Sequence, residues 1–223
     1  MTQAMKRLFL TMILLCFGLA SFAQEGFGVL GGLTSSSTKL QDFDFDNVTQ
    51  YRAGIAYKYP IAIGFAVQPE FSYSVKGTSL TSSLQEFDIA KLNLHMGYLE
   101  AGMQLQWGPD LLIFRPYALV EPFLGYAIND KVETSYFNSS SKITKTNVWN
   151  CLQRVEYGYA IGGGLDLFGR MQVSAKHYEN FGSIYKAPEG GGAPESLDDF
   201  MMRAFQGEKN FGGWVITLIF FFY

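Results

Sequence analysis

The 223-residue sequence predicts an all-β chain, an eight-stranded antiparallel up-and-down transmembrane β-barrel. Three observations carry that prediction. Eight segments alternate apolar and polar residues with a period of two, the spacing at which a strand sends successive side chains to opposite faces. The connections between them run long, short, long, short, long, short, long, as in a barrel with tight turns at one rim and loops at the other. Aromatic residues make up 16% of the chain, with 20 Phe and 13 Tyr, which is heavy for a soluble domain and suits aromatic girdles at two lipid interfaces.

The chain opens with Lys6-Arg7, an apolar run from Leu8 to Ala20, and then Ser21-Phe22-Ala23. That pattern is a secretory signal peptide over residues 1–23, cut between Ala23 and Gln24. The run is shorter than the ~20 residues a spanning helix needs. Cys16 lies inside it without the small preceding residue of a lipid-attachment site, so it leaves with the leader. The barrel domain is then residues 24–223. The leader takes two of the 17 basic residues and no acidic one, which leaves 15 basic against 20 acidic, a formal charge of −5. Cys151 alone remains, so a disulfide scaffold is excluded, and no basic block suggests nucleic acid.

In order, the first strand is Phe27 to Leu33, Gly-rich and weakly alternating. Gln50 to Tyr59 is sharp, with Tyr51, Ala53, Ile55, Tyr57 and Tyr59 opposite Gln50, Arg52, Gly54, Ala56 and Lys58. Phe65 to Lys76 sets Phe65, Val67, Pro69, Phe71, Tyr73 and Val75 against Ala66, Gln68, Glu70, Ser72, Ser74 and Lys76. Leu92 to Trp107 sets Leu99, Ala101, Met103, Leu105 and Trp107 against Glu100, Gly102, Gln104 and Gln106. In Arg115 to Tyr126 the inward set is Arg115, Tyr117, Leu119, Glu121 and Gly125. Arg154 to Leu167 turns Tyr157, Tyr159, Ile161, Leu165 and Leu167 away from Glu156, Gly158, Ala160, Gly162, Gly164 and Asp166. Arg170 to Tyr178 alternates Met171, Val173 and Ala175 with Arg170, Gln172, Ser174 and Lys176. Trp214 to Tyr223 is apolar on both faces.

The short connections are Pro60-Ile61-Ala62, Gly108-Pro109-Asp110 and Phe168-Gly169; residues 34–49, 77–91, 129–150 and 183–210 form the long ones. An even strand count places both termini on the periplasmic side of an outer membrane. The competing architecture is a soluble barrel of the lipocalin type, which turns its apolar face inward. Polar faces built of Gly, Ala, Ser and Gln, aromatics at the strand ends, and a chain that stops on Phe220-Phe221-Phe222-Tyr223 favour the membrane.

Landmarks lie along the mature chain: Gly28-Val29-Leu30-Gly31-Gly32-Leu33, Gln68-Pro69-Glu70-Phe71-Ser72-Tyr73-Ser74-Val75-Lys76-Gly77, Tyr98-Leu99-Glu100, Arg115-Pro116-Tyr117, Gly125-Tyr126 and Tyr223. With these the chain resembles the PorT-like outer-membrane β-barrel family of Gram-negative bacteria, small proteins with an eight-stranded barrel. It departs from that pattern at Lys176-His177-Tyr178, where the family has an Arg-Tyr pair. Most of the family has no defined activity; one branch serves in protein secretion, and no motif assigns this chain to it. The last strand resembles the C-terminal signal that barrel-assembly machinery recognises, carried here by Ile219, Phe221 and Tyr223.

The chemistry-bearing candidates are the charges assigned to the lumen. These are Arg52, Lys58, Lys76, Arg115, Arg154, Arg170 and Lys176 against Glu70, Glu100, Glu121, Glu156 and Asp166. Eight strands leave an interior that side chains just fill, so these groups are expected to pair across it and plug it. Asp42-Phe43-Asp44-Phe45-Asp46-Asn47 starts like a calcium loop, but Asn47 and Ala53 stand where an EF-hand has Gly and Glu. A solvated loop, or the hairpin of the second strand continuing beyond the membrane with Phe43 and Phe45 on one side, explains it better. Two histidines, His95 and His177, and one mature cysteine make no zinc set. Ser174 and His177 point to opposite faces of one strand, so no nucleophile meets a base. Gly162-Gly163-Gly164 lies within a strand and is no phosphate loop.

The sequence thus predicts an outer-membrane barrel with a plugged lumen, without catalytic residues, cofactor or metal. Its role is envelope-structural, adhesive, or associated with assembly or secretion, acting through outer loops or barrel wall. Its expected partners are membrane lipid, the assembly machinery during biogenesis, and a protein at the outer loops. The alternative is a narrow channel for ions or small solutes, and a distant third is a lipid-modifying enzyme.

Overall fold

A computed structural model describes residues 25–38, 45–80, 89–111, 113–136, 142–145, 153–181 and 211–222. The expected signal peptide, both cysteines, Asp42 to Asp44 and Tyr223 lie outside the described residues. Every described element is a strand: β1 (Gly26–Thr38), β2 (Phe45–Ala62), β3 (Phe65–Leu80), β4 (Ile89–Trp107), β5 (Phe114–Tyr136), β6 (Lys142–Lys145), β7 (Val155–Leu167), β8 (Met171–Phe181) and β9 (Phe211–Phe222). Each long strand pairs antiparallel with its sequence neighbours. Pairing of β1 with β9, from Phe27↔Phe222 to Thr38↔Phe211, and of β5 with β4 and β7 closes the ring. Eight strands form the barrel, and β6 adds to the far end of β5, with Lys145 opposite Val132.

The distribution of side chains is that of a soluble protein turned inside out. Phe71, Leu124, Ile161 and Leu218 are about half exposed on the outer wall, whereas Lys176 and Glu121 are buried inside. A wall of this composition is stable only against an apolar solvent, because water would penalise the exposed apolar area. The lipocalin arrangement is thereby rejected. Aromatics gather near the rims, where amphipathic rings favour the interface: Phe65 packs against Trp107, and His177 lies edge-on to Trp214.

Both ends of the described barrel chain, Gly26 and Phe222, lie at the rim that carries the short turns. The β2–β3 turn centres on Ile63 and Gly64 (φ 52° and 78°), two residues beyond the expected Pro60-Ile61-Ala62 start. The β7–β8 turn centres on Phe168 and Gly169 (φ 53° and 68°), as expected. Positive φ at both central residues marks the turn type whose twist matches a hairpin. Ile63 is a β-branched residue held in the left-handed region, which sequence-based turn chemistry does not anticipate.

The opposite, loop rim is uneven. Strands β1, β7, β8 and β9 have 13, 13, 11 and 12 residues, close to the ~9–11 that span a bilayer when tilted. Strands β2 to β5 have 18, 16, 19 and 23. Their surplus, with β6, forms a sheet overhanging one side, in which Phe45 pairs with Leu80, Leu80 with Leu92, and Ile89 with Tyr136. At ~3.3 Å per residue and a tilt near 40°, the overhang rises roughly 20 Å past the short strands. The expected long connections therefore contain strand, including β6 within 129–150 and Phe45 to Asn47 of the acidic stretch.

Candidate functional site: the charged lumen

Alternation along each strand delivers one side chain in two to the lumen, and these side chains meet in three layers. At the turn rim Arg115 donates from Nη1 to Asp166 (3.0 Å) and Gln106 (3.2 Å) and from Nη2 to the Gly64 carbonyl (2.7 Å). Its Nε lies 3.3 Å from Asp110, and Lys58 makes a second ion pair with Asp166. Below these charges Leu30, Ala56, Ile219 and Phe221 form a small apolar core.

That core resolves the two-faced character of the last strand. Val215, Thr217, Ile219 and Phe221 face inward, while Trp214, Ile216, Leu218, Phe220 and Phe222 face out. Ile219 and Phe221, taken from the sequence as part of a C-terminal signal, thus fill the lumen, and the lipid-facing apolar residues have the opposite parity.

The middle layer is a neutral ladder joined to an ionic cluster. Gln172 donates to Asp166 (2.7 Å), Gln68 to Gln172 (2.9 Å) and to Glu70 (3.0 Å), and Gln104 to Glu70 (2.6 Å). Glu70 also receives Arg52 at 3.0 Å and Lys176 at 3.3 Å, and Lys176 pairs with Glu121 as well. Room for the Glu121 carboxylate comes from Gly102, where any Cβ would meet it at 2.5 Å.

Toward the loop rim Lys76 lies 2.7 Å from both Glu100 and Glu156, and Asn180 donates to Glu156 (2.7 Å). Three rings surround the Lys76 ammonium: Tyr178 at 4.6 Å, Phe123 at 4.8 Å and Tyr98 at 5.4 Å to their centroids. Ring faces attract a cation, so the layer holds one positive group with two carboxylates and an aromatic shell.

Ten of the twelve lumen charges expected from the sequence are buried inside. The exceptions are Arg154 and Arg170, both exposed: Arg154 precedes β7, and Arg170 sits in the β7–β8 turn, where strand parity no longer governs direction. Without them five cations face five carboxylates. The sequence reading did not single out Gln68, Gln104, Gln106 and Gln172; their shared inward parity was the available signal. Ser174 is buried in the lumen and His177 lies on the outer wall against Trp214, so the two do not meet. Among the described residues no group of three or more His, Cys, Asp or Glu is arranged to hold a metal.

The arrangement resembles solved bacterial barrels at low sequence identity. Ail, the attachment invasion locus protein of Yersinia pestis, is 15% identical, with 89% of this chain and 100% of that one covered and a TM-score of 0.44. OprG of Pseudomonas aeruginosa is 14% identical, with 91% and 99% covered and a TM-score of 0.46. Neisserial surface protein A is 10% identical, with 88% and 97% covered and a TM-score of 0.42. No curated protein sequence matches the chain. Residues 22–186 match the family described as outer membrane protein beta-barrel domain, and the chain, a closed eight-stranded barrel with an apolar outer wall, belongs to that outer-membrane family.

Proposed function

We propose that this barrel is a closed anchor, and that it acts through its wall and its overhanging sheet as an envelope-structural, adhesion or assembly component. In this reading the short turns and both termini face the periplasm, and the overhang stands outside the cell. The observation that carries it is the middle layer of the lumen. Gln68, Gln104, Gln106 and Gln172 are fully buried and Lys176 nearly so, each hydrogen-bonded or ion-paired across the barrel. An ion crossing this layer has to break several buried charge-assisted bonds at once, and each uncompensated charge is costly. Membrane lipid surrounds the wall, the assembly machinery inserts the barrel, and a protein partner meets the overhang.

A second reading, a narrow channel for ions or small solutes, is favoured by one observation. Thr217 Oγ1 is buried in the lumen wall without a hydrogen-bond partner among the described residues, as a group that lines a file of water would be. Planar-bilayer recording of the purified barrel separates the two. The closed anchor gives no steady conductance at any applied voltage; stable unitary steps from the folded protein would establish the channel.

A further inference from the structure

On the outer wall of β2 to β5, where the apolar belt ends, polar side chains join in two bridges. Gln50 has the inward parity of β2, but beside the register shift between Asn47 and Arg52 its Nε2 lies 3.0 Å from His95 Nδ1; Asn129 Nδ2 donates to Tyr73 Oη at 2.9 Å. Each bridge forms beside a glycine. A Cβ on Gly77 would come within 3.1 Å of His95 Nδ1, and one on Gly97 would collide with the side chains of Tyr73 and Asn129. In register Gly77 faces His95 and Gly97 faces both Val75 and Asn129. Val75 lies between the two bridges and is only 8% exposed, buried on the outward parity of β3 together with Gly77 and Ser79. Tyr51 packs against Tyr73 at 6.1 Å with its ring 56% exposed.

The level of this patch is fixed from both sides. One turn of alternation nearer the turn rim are Phe71, Leu99, Leu124 and Tyr126, all exposed to lipid. On the other side Lys131 pairs with Glu133 at 2.6 Å with its side chain 52% exposed, a group that belongs in water. Amide side chains on a lipid-facing wall are unfavourable unless their remaining donors and acceptors meet polar groups. Asn129 and Gln50 each carry more donors and acceptors than their bridges use. Tyr51 supplies an aromatic face, and Gln50, Tyr51, Tyr73 and Asn129 carry no formal charge.

We propose that this patch is a binding site for the neutral sugar rings of a glycolipid in the surrounding outer leaflet. Amides and phenols exchange hydrogen bonds with ring hydroxyls, and the Tyr51 face covers the apolar face of a pyranose. The proposal rests on the orientation given under Proposed function, with the loop rim outside.

The test uses the full mature barrel in detergent, with native mass spectrometry of two probes, lipooligosaccharide with its core sugars and lipid A without them. The wild type retains the sugared probe in preference, and Gln50→Leu with Asn129→Leu lowers that preference about ten-fold, the factor produced by one or two lost hydrogen bonds. The heat-dependent gel shift of the double variant reports that it still folds. Equal retention of the two probes by the wild type, or an undiminished preference in the folded variant, would overturn the site. Orientation is read separately by labelling Lys131→Cys in a Cys151→Ser background on intact cells with an impermeant maleimide. Labelling supports the outward loop rim; protection from the reagent overturns that orientation whatever the glycolipid result.

Discussion

Lys176→Met tests the plugged lumen most directly. Lys176 reaches from β8 to Glu70 on β3 at 3.3 Å and to Glu121 on β5, and all three side chains are at most 3% exposed. At an effective dielectric of 20, two unit charges at that separation attract by about 5 kcal/mol before desolvation is counted. Removing the ammonium leaves Glu70 with Arg52, Gln68 and Gln104, but strips Glu121 of its paired cation. A buried ion pair broken from one side costs about 3–5 kcal/mol, so Lys176→Met should destabilise the barrel by that amount. Adding Glu121→Gln removes the orphaned charge, and the double variant should return to within about 1–2 kcal/mol of the wild type. Urea unfolding in lipid vesicles, followed by tryptophan fluorescence and by the folded band on unboiled gels, measures both. A single-variant cost below about 1 kcal/mol would show that water screens the cluster as it screens a surface pair, and the plug would be refuted.

Three further outcomes are expected. Arginine on the outer wall should cost about 2–4 kcal/mol at Val120, which faces Ile161 midway along β7, but only about 0–1 kcal/mol at Val67, two residues into β3 from the turn rim. Comparing folded yields on semi-native gels checks this, and equal yields would contradict the placement of the membrane. Ile63→Gly should raise stability by about 1 kcal/mol, because a β-branched residue is strained at φ 52° and glycine is not; a lowered urea midpoint would mean that the Ile63 side chain matters more than its backbone. Arg154→Ala and Arg170→Ala, at exposed positions, should each shift stability by less than about 0.5 kcal/mol, whereas a loss of several kcal/mol would return them to the buried network.

Much of the wall was legible because it obeys one rule. Wherever a strand lies between lipid and a packed polar lumen, the contrast between its faces is large, as Tyr51 to Tyr59 and Val155 to Ile161 display. The rule fails where either medium changes. At the turn rim the lumen is filled by Leu30, Ala56, Ile219 and Phe221, so β9 shows no contrast although its facing is definite. Beyond the membrane the contrast between faces fades, and the extensions of β2, β3 and β5, with β6, read as loop, while β4 reads as strand from Leu92, three residues short of its start at Ile89. Arg154 and Arg170 were placed inside by extending parity past the strand ends. Within the lumen, charge identified the members of the network but not their connections. The glutamine ladder from Asp166 to Glu70 joins residues 166, 172, 68 and 70, and only closure of the barrel brings the first pair to the second.

Strands β2 to β5 outrun the others at the loop rim, and these four strands also carry the polar bridges Gln50–His95 and Tyr73–Asn129. The sector made by β7, β8 and β9 has no such extension; there the wall ends in aromatic contacts, His177 with Trp214 and Tyr159 with Phe181, and in one bridge from Tyr159 Oη to Glu179 at 3.1 Å. A closed lumen whose buried cations each pair with a carboxylate across the ring needs no such overhang. The asymmetry therefore bears on what surrounds the barrel. A partner bound along the overhang would stand directly above the proposed sugar site, so that lipid head groups held there become part of the surface it meets. In that geometry Gln50→Leu with Asn129→Leu would weaken partner binding in glycolipid-containing membranes while leaving it unchanged in detergent, a dependence that neither a channel nor a purely proteinaceous adhesin predicts.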